Sequence, residues 1–276
     1  MRVLYYADHH EFPLPPCHRF PIQKYRLTRE LLARDGLYEF MPAPLADRAV
    51  LEFVHDRSYV EQFLSGTLPA QAIRRIGFPW SPELVSRTLA SVGGTLAATR
   101  VALSQGLGGT LAGGTHHAFR AEGSGFCVFN DNAVAVMWAR HEAGVRRAAV
   151  IDLDVHQGDG TAQIFEDDAD VLTISVHGNN NFPFRKQNSR IDVGLGDETG
   201  DQEYLSGLRA LLPQIDEFAP EIVFYQSGVD GLASDCLGRL ALTHAGLQER
   251  WAIGGYTRPL ANRRRNRRKR RRTRRH

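Results

Sequence analysis

Asp152, Asp154 and His156 stand two residues apart in the stretch Val150 to Gly160, at the end of an apolar run, Ala148 to Ile151. The run has the near-continuous hydrophobicity of a parallel strand buried on both faces. A strand repeats every two residues, so all three ionisable side chains are expected on one side of it. Carboxylates at the edge of a core need a partner, and a divalent cation is the partner that Asp and His most readily share. The stretch reads as half of a metal site.

Further groups capable of chemistry lie on either side. Upstream are Gly113-Gly114-Thr115-His116-His117, then Gly123-Ser124-Gly125-Phe126-Cys127 and Asn130-Asp131. Downstream, the apolar run Ile222 to Tyr225 leads into Gln226-Ser227-Gly228-Val229-Asp230, and Gly254-Gly255-Tyr256 stands near the end. With the entry stretch His18-Arg19-Phe20-Pro21 and Lys24-Tyr25, these residues make the chain resemble the zinc-dependent histone deacetylase family, in particular its small bacterial members that are similar to class IV deacetylases. The resemblance runs from about Leu4 to about Arg250.

The elements that must position these groups alternate in the α/β manner. Strands are expected at Val3 to Tyr6, Ala148 to Leu153, Val171 to Val176 and Ile222 to Tyr225. Helices are expected at Lys24 to Arg34, Ser58 to Leu64, Pro82 to Gln105, Asn132 to Glu142, Thr161 to Asp167 and Gln202 to Phe218. Ser81 suits the N-cap of the third helix with Pro82 at its first position, and Asn130 or Asp131 caps the fourth. Gly93-Gly94 weakens the third helix, which points to close packing against a neighbour. His9 to Pro21, rich in Pro and His, has loop composition. The expected fold class is α/β: a single domain with a central, mostly parallel sheet and helices on both faces, of the arginase/deacetylase type by resemblance.

In open α/β sheets ligands bind beyond the carboxyl ends of the strands, and Asp154, His156 and Asp230 each stand just past such an end. Two carboxylates and one imidazole leave open coordination positions, which is a catalytic rather than a structural arrangement. Zinc is the metal expected, although an oxygen-rich set with one nitrogen also accepts Fe(II) or Co(II).

Amide hydrolysis needs a proton taken from water and one given to the leaving amine, and imidazole does both near neutral pH. The resemblance implies that His117 is this base and acid, that His116 is its electrostatic partner, and that Asp152 holds His116 while Asp159 holds His117. It further implies that Tyr256 donates a hydrogen bond to the oxyanion and that the segment His9 to Pro21 forms part of the channel rim. Gly125 and Phe126, with either Phe182 or Phe184, would line a narrow channel for an acyl-lysine stem. Asp152, Asp154, His156 and Ser175 match positions that help to bind a potassium ion in the family. The implied activity is hydrolysis of an acetyl or acyl amide on a lysine-like amine. Acetylated lysine in a peptide or protein and a small acetylated amine present the same bond.

Composition sets limits around this reading. At 276 residues and 42% hydrophobic content the chain suits one large soluble α/β domain. No apolar run approaches the roughly 18 residues of a membrane span, and the N-terminus has no signal-peptide core, so a cytoplasmic protein is expected. Cys17, Cys127 and Cys236 form no paired motif and are expected to be buried reduced thiols.

Eleven of the 34 basic residues fall between positions 263 and 276, so the remaining 23 face 31 acidic residues, a balance of −8. We expect residues 1–260 to form the deacetylase-like domain, shortened after 250, and residues 261–276 to form an arginine-rich disordered tail. Such a run normally marks a nucleic-acid-binding or localisation segment. The abrupt change to almost pure arginine is also what a shifted reading frame in a GC-rich gene produces. Two other classes stand beside the main reading. The related Mn(II) ureohydrolases share a similar fold but use Asp-rich two-metal motifs, and the His-His and Gly-Gly-Tyr of this chain point away from them; a catalytically impaired deacetylase-like protein would bind nucleic acid through the tail.

Overall fold

The computed structural model describes residues 2–254. Tyr256 and the arginine-rich segment lie outside them. Along the chain run β1 (Arg2–Tyr6), α1 (Lys24–Ala33), β2 (Tyr38–Pro42), α2 (Arg48–Leu51), α3 (Arg57–Ser65), α4 (Ala70–Ile76), α5 (Pro82–Gln105) and β3 (Gly109–Thr110). They are followed by α6 (Asp131–Glu142), β4 (Ala148–Asp152), α7 (Asp159–Ile164), β5 (Val171–Gly178), β6 (Ile191–Leu195), α8 (Asp201–Phe218), β7 (Ile222–Gln226) and α9 (His244–Gly254). The fold is α/β, with parallel sheets flanked by helices. Two compact units are distinguished within it.

The first unit comprises the residues up to Gly144 together with Gly158–Glu166. Its sheet has the order β2-β1-β3 and every pairing is parallel, with Tyr5 opposite both Met41 and Thr110. The long helix α5 packs on β1 and β3. Ser81 Oγ accepts the Leu84 N–H at 3.1 Å, Pro82 opens the helix and left-handed Gly106 closes it. The Gly93-Gly94 pair does lie at a close approach. A Cβ at Gly93 would overlap the Pro44 carbonyl oxygen, and one at Gly94 would come within 2.9 Å of Thr110 Oγ1. Helix α6 packs on α5 and is capped by Asn130, whose Oδ1 accepts the Ala133 N–H at 3.0 Å. Asp131 serves elsewhere.

The second unit comprises Val145–Gln157 and the residues from Asp167 onward. Its sheet has the order β6-β5-β4-β7, again wholly parallel. The two central strands, β4 and β5, are buried throughout their length, while the outer strands β6 and β7 alternate. This division follows from position, since only a central strand is covered along both edges. Leu205, Leu208, Leu211 and Ile215 of α8 share a core with Ile151, Leu153, Leu172 and Ile174.

Several expectations are corrected. Among the described residues the parallel strands pair as a three-stranded and a four-stranded sheet. β4 ends at Asp152, so Asp154 and His156 lie in a bend and the strand period does not reach them. The alternation of burial nonetheless persists, because Leu153 and Val155 point into the core. Of the cysteines only Cys127 is buried; Cys17 and Cys236 are exposed, and all three are free thiols. Residues 7–23 are irregular, as their composition suggests. No helix among the described residues is long and apolar enough to cross a membrane.

Candidate active site

β4 and β7 are hydrogen-bonded neighbours, with Asp152 opposite Gln226, and the ladder continues as Leu153 N–H donates to the Gln226 carbonyl at 3.1 Å. Their carboxyl ends therefore emerge side by side. The two segments that follow bring Asp154, His156 and Asp230 into one cluster, whose ligand atoms all lie within 4.8 Å of one another. His156 Nδ1 is 3.0 Å from Asp154 Oδ1 and 3.0 Å from Asp230 Oδ2.

Two carboxylates and one imidazole nitrogen converge here at a half-buried position, which fits a divalent cation. The electrostatics describe the same deficit of positive charge. Burial disfavours the His156 imidazolium, but hydrogen bonds to Asp154 and Asp230 outweigh it and push the pKa up to about 10. Burial and the neighbouring charge of Asp154 hold Asp230 above the usual carboxylate range. Among the described residues no other group of His, Cys, Asp and Glu side chains is arranged to hold a metal ion.

Asp152 is not part of the cluster. Its side chain is buried, and Oδ1 accepts the Asp154 N–H at 3.1 Å, fixing the turn out of the strand. Asp230 Oδ1 likewise accepts the Val155 N–H at 3.0 Å. Ser175 lies opposite Asp152 in the ladder, with Oγ 3.0 Å from His177 Nδ1.

His116 and His117 are in the first unit, both buried, with ring centroids 4.0 Å apart. His117 Nδ1 is 2.7 Å from Asp159 Oδ1. Asp159 opens α7, and the start of that helix is seated on the backbone beneath the two histidines. Thr161 N–H donates to the His116 carbonyl at 3.1 Å, and Gly160 leaves no room for a side chain, since a Cβ would overlap the Ala118 carbonyl and stand 2.7 Å from that of His116. Asn130 Nδ2 is 2.9 Å from Thr161 Oγ1 and 3.2 Å from the Ala118 carbonyl.

Beneath Asn130 lies His55, also buried. Its Nε2 accepts the Asn130 N–H at 2.9 Å while Nδ1 donates to the Phe119 carbonyl at 2.9 Å, and burial pushes its pKa down to about 4. Asp131 completes the support from its own side. Oδ1 accepts the Thr115 N–H at 2.7 Å, and Oδ2 accepts Thr95 Oγ at 2.6 Å and the Gly114 N–H at 3.2 Å.

Gly125 and Phe126 both have left-handed backbone, with φ of 53° and 66°. For phenylalanine that costs about 1 kcal/mol or more, and the turn is held by Phe126 N–H donating to the Ile76 carbonyl at 2.8 Å. The half-buried Phe126 ring meets those of His18, Phe20 and Phe78 at 5.7, 5.3 and 5.2 Å. In the second unit Phe182 is 36% exposed and Phe184 86%, with their rings 6.3 Å apart.

Sequence reasoning missed Phe78 and His55, which sit in no motif, and the supporting roles of Asn130 and Asp131. It also missed Arg250, a buried arginine on α9. The signal available for Asp131 was its neighbour: with Asn130 as the cap, a second acidic residue inside a buried helix start needed another duty.

Residues 18–256 match the family model described as the histone deacetylase domain, a stretch that takes in both units. An uncharacterized protein of the cyanobacterium Picosynechococcus is 46% identical over 253 residues, covering 90% of this chain and 84% of that one. The acetoin utilization protein AcuC of Bacillus subtilis is 30% identical over 252 residues, covering 82% of this chain and 65% of its own length. The crystal structure of a histone deacetylase homologue from Aquifex aeolicus aligns with a TM-score of 0.78 at 24% identity, over 91% of this chain and 74% of that one. At that identity the likeness is one of fold.

Proposed function

Because this chain belongs to the histone deacetylase family, we propose that it is a zinc-dependent amidohydrolase that removes an acetyl or longer acyl group from a lysine-like amine. The observation that carries this reading is the convergence of Asp154, His156 and Asp230 at the ends of two adjacent strands. When bound, the divalent ion polarises the acyl carbonyl and lowers the pKa of the attacking water. The chain's own residues do the rest.

His117 takes the water proton at Nε2, because its Nδ1 is committed to Asp159. The carboxylate fixes the tautomer and stabilises the imidazolium that forms. The same nitrogen then returns the proton to the leaving amine. His116 tempers the charge on its neighbour, and Asp152 is the carboxylate assigned to it. Tyr256 donates a hydrogen bond to the developing oxyanion; loss of one such donor costs about 10²- to 10³-fold in rate.

Phe126 forms one wall of the acyl-lysine channel beside Gly125. Of the two candidates Phe182 and Phe184 for the remaining lining, Phe182 is favoured by its lower exposure. A potassium ion on the carbonyls around Asp152, Asp154, His156 and Ser175 belongs to the same reading.

The test is acetate release by the zinc-loaded protein from an acetyl-lysine peptide and from an acetylated polyamine, with chelator controls and metal analysis. Chelator-sensitive release with one zinc per chain is expected. No release from either substrate with one zinc bound would sink the amidohydrolase reading, and two metals per chain would point to ureohydrolase-type chemistry.

A further inference from the structure

Arg250 on α9 is 2% exposed, and among the described residues it has no carboxylate partner. A buried guanidinium without a counter-charge is costly unless its donors are satisfied. Two of its three acceptors are backbone carbonyls, and Nε has none among the described residues. Nη1 donates to the Gly228 carbonyl at 2.6 Å and to the Leu153 carbonyl at 3.2 Å, while Nη2 donates to Ser227 Oγ at 3.1 Å.

Those acceptors lie on two different segments. Leu153 contributes the peptide that leads directly into Asp154, and Gly228 stands two residues before Asp230. The two segments also touch. A Cβ at Gly228 would stand 2.5 Å from Asp154 Cα and 2.8 Å from Asp154 Oδ2, so the Gly228 backbone lies directly against Asp154. One rigid, planar fork from a third element therefore ties both ligand-bearing segments at their point of contact.

We propose that Arg250 is a positioning residue of the metal centre, fixing the segments that carry Asp154 and Asp230 in their ligating arrangement before the ion arrives. The proposal rests on reading the Asp154–His156–Asp230 cluster as a metal site. Groups that orient ligands in this way typically contribute about 10- to 100-fold in metal affinity.

The experiment measures zinc affinity by chelator competition and the visible spectrum of the cobalt-substituted protein, alongside thermal unfolding of the metal-free form. Arg250→Met, which keeps the apolar stem, is expected to bind about 10- to 100-fold more weakly and to shift the cobalt bands. Leu247→Ala, which loosens the packing of the same helix without touching either carbonyl, is expected to lower stability and leave affinity and spectrum unchanged. Wild-type affinity and spectrum in Arg250→Met overturn the proposal, as does an equal loss of affinity in Leu247→Ala. Should Arg250→Met not fold, Arg250→Lys keeps the charge but not the fork, and wild-type affinity there overturns it equally. If the unaltered protein takes up no ion, the metal-site reading falls; if it does and Arg250→Met matches it, only the role of Arg250 falls.

Discussion

His117 Nδ1 lies 2.7 Å from Asp159 Oδ1, with both side chains only 6% exposed. A hydrogen bond this sheltered orients an imidazole more firmly than one made in water, because competing solvent partners are excluded. It fixes which ring nitrogen faces the carboxylate.

Asp159→Asn retains the shape of the pair but removes the charge that fixes the tautomer. We expect kcat to fall about 10²-fold or more, within the range of general acid–base contributions, with bound metal unchanged. Steady-state kinetics with metal analysis of the same preparations checks both halves. An unchanged kcat would remove Asp159 from the mechanism.

Asp154→Ala and Asp230→Ala each take one carboxylate from the cluster. Zinc should no longer raise the unfolding temperature of either variant, whereas it should raise that of the unaltered protein, since a ligand that binds only the folded state stabilises it. Differential scanning fluorimetry with and without zinc distinguishes them. A zinc-dependent rise that survives in both variants would place the ion elsewhere.

Gly160→Ala and Gly93→Ala separate function from stability. Both introduce a Cβ that overlaps a carbonyl oxygen, of Ala118 at Gly160 and of Pro44 at Gly93. Overpacking of this kind costs about 1–3 kcal/mol, so both should unfold at lower temperature. Only Gly160→Ala should also lower kcat in the folded fraction, because it displaces the backbone of His116–Ala118. Equal kcat in the two folded variants would argue that α7 does not set the histidines.

His55 gives a pH dependence whose sign is fixed. Burial pushes its folded-state pKa down to about 4, from the 6.5 of an ordinary imidazole. Its neutral form therefore contributes stability that is fully present above pH 6.5 and is lost as pH falls through about 4. The shift corresponds to roughly 3 kcal/mol at most, a sizeable share of a typical folding free energy of about 5–15 kcal/mol. Unfolding temperature should fall less steeply between pH 6.5 and 4 in His55→Gln than in the unaltered protein. Parallel slopes would contradict the assignment.

Much of this arrangement was legible in the sequence because the decisive signals were local. Asp-x-Asp-x-His after an apolar run, and Gly-x-Asp after another, place carboxylate and imidazole side chains just beyond strand ends whatever the rest of the chain does. The bend after Asp152 was not legible: the alternation of burial continues through Leu153 and Val155 and imitates a longer strand. β2 and β6 escaped notice for a different reason. As outer strands of five residues they offer only a short pattern, and β2 ends on Pro42, which an edge strand tolerates. Arg250 carried little signal, because two of its three acceptors are backbone carbonyls of residues 97 and 22 positions away, and a backbone acceptor leaves no trace in residue type. The division of the strands into two sheets is likewise a matter of pairing across the chain, which composition and periodicity do not encode.

The register of β4 against β7 has one further consequence. Asp154 lies two residues beyond Asp152 and Asp230 four beyond Gln226, and those two strand residues are paired by the hydrogen-bonded ladder. The spacing of the two carboxylates is therefore set by short local offsets and an interstrand distance of about 4.8 Å, not by the chain that runs between them. Surface connections within that stretch, such as the turn between β6 and α8, can lengthen or shorten without altering the spacing of the two carboxylates. A single-residue insertion between Asp152 and Asp154, or between Gln226 and Asp230, would instead move one carboxylate by a whole residue step. The pair is thus tolerant of drift in length within that stretch and brittle at two short hinges.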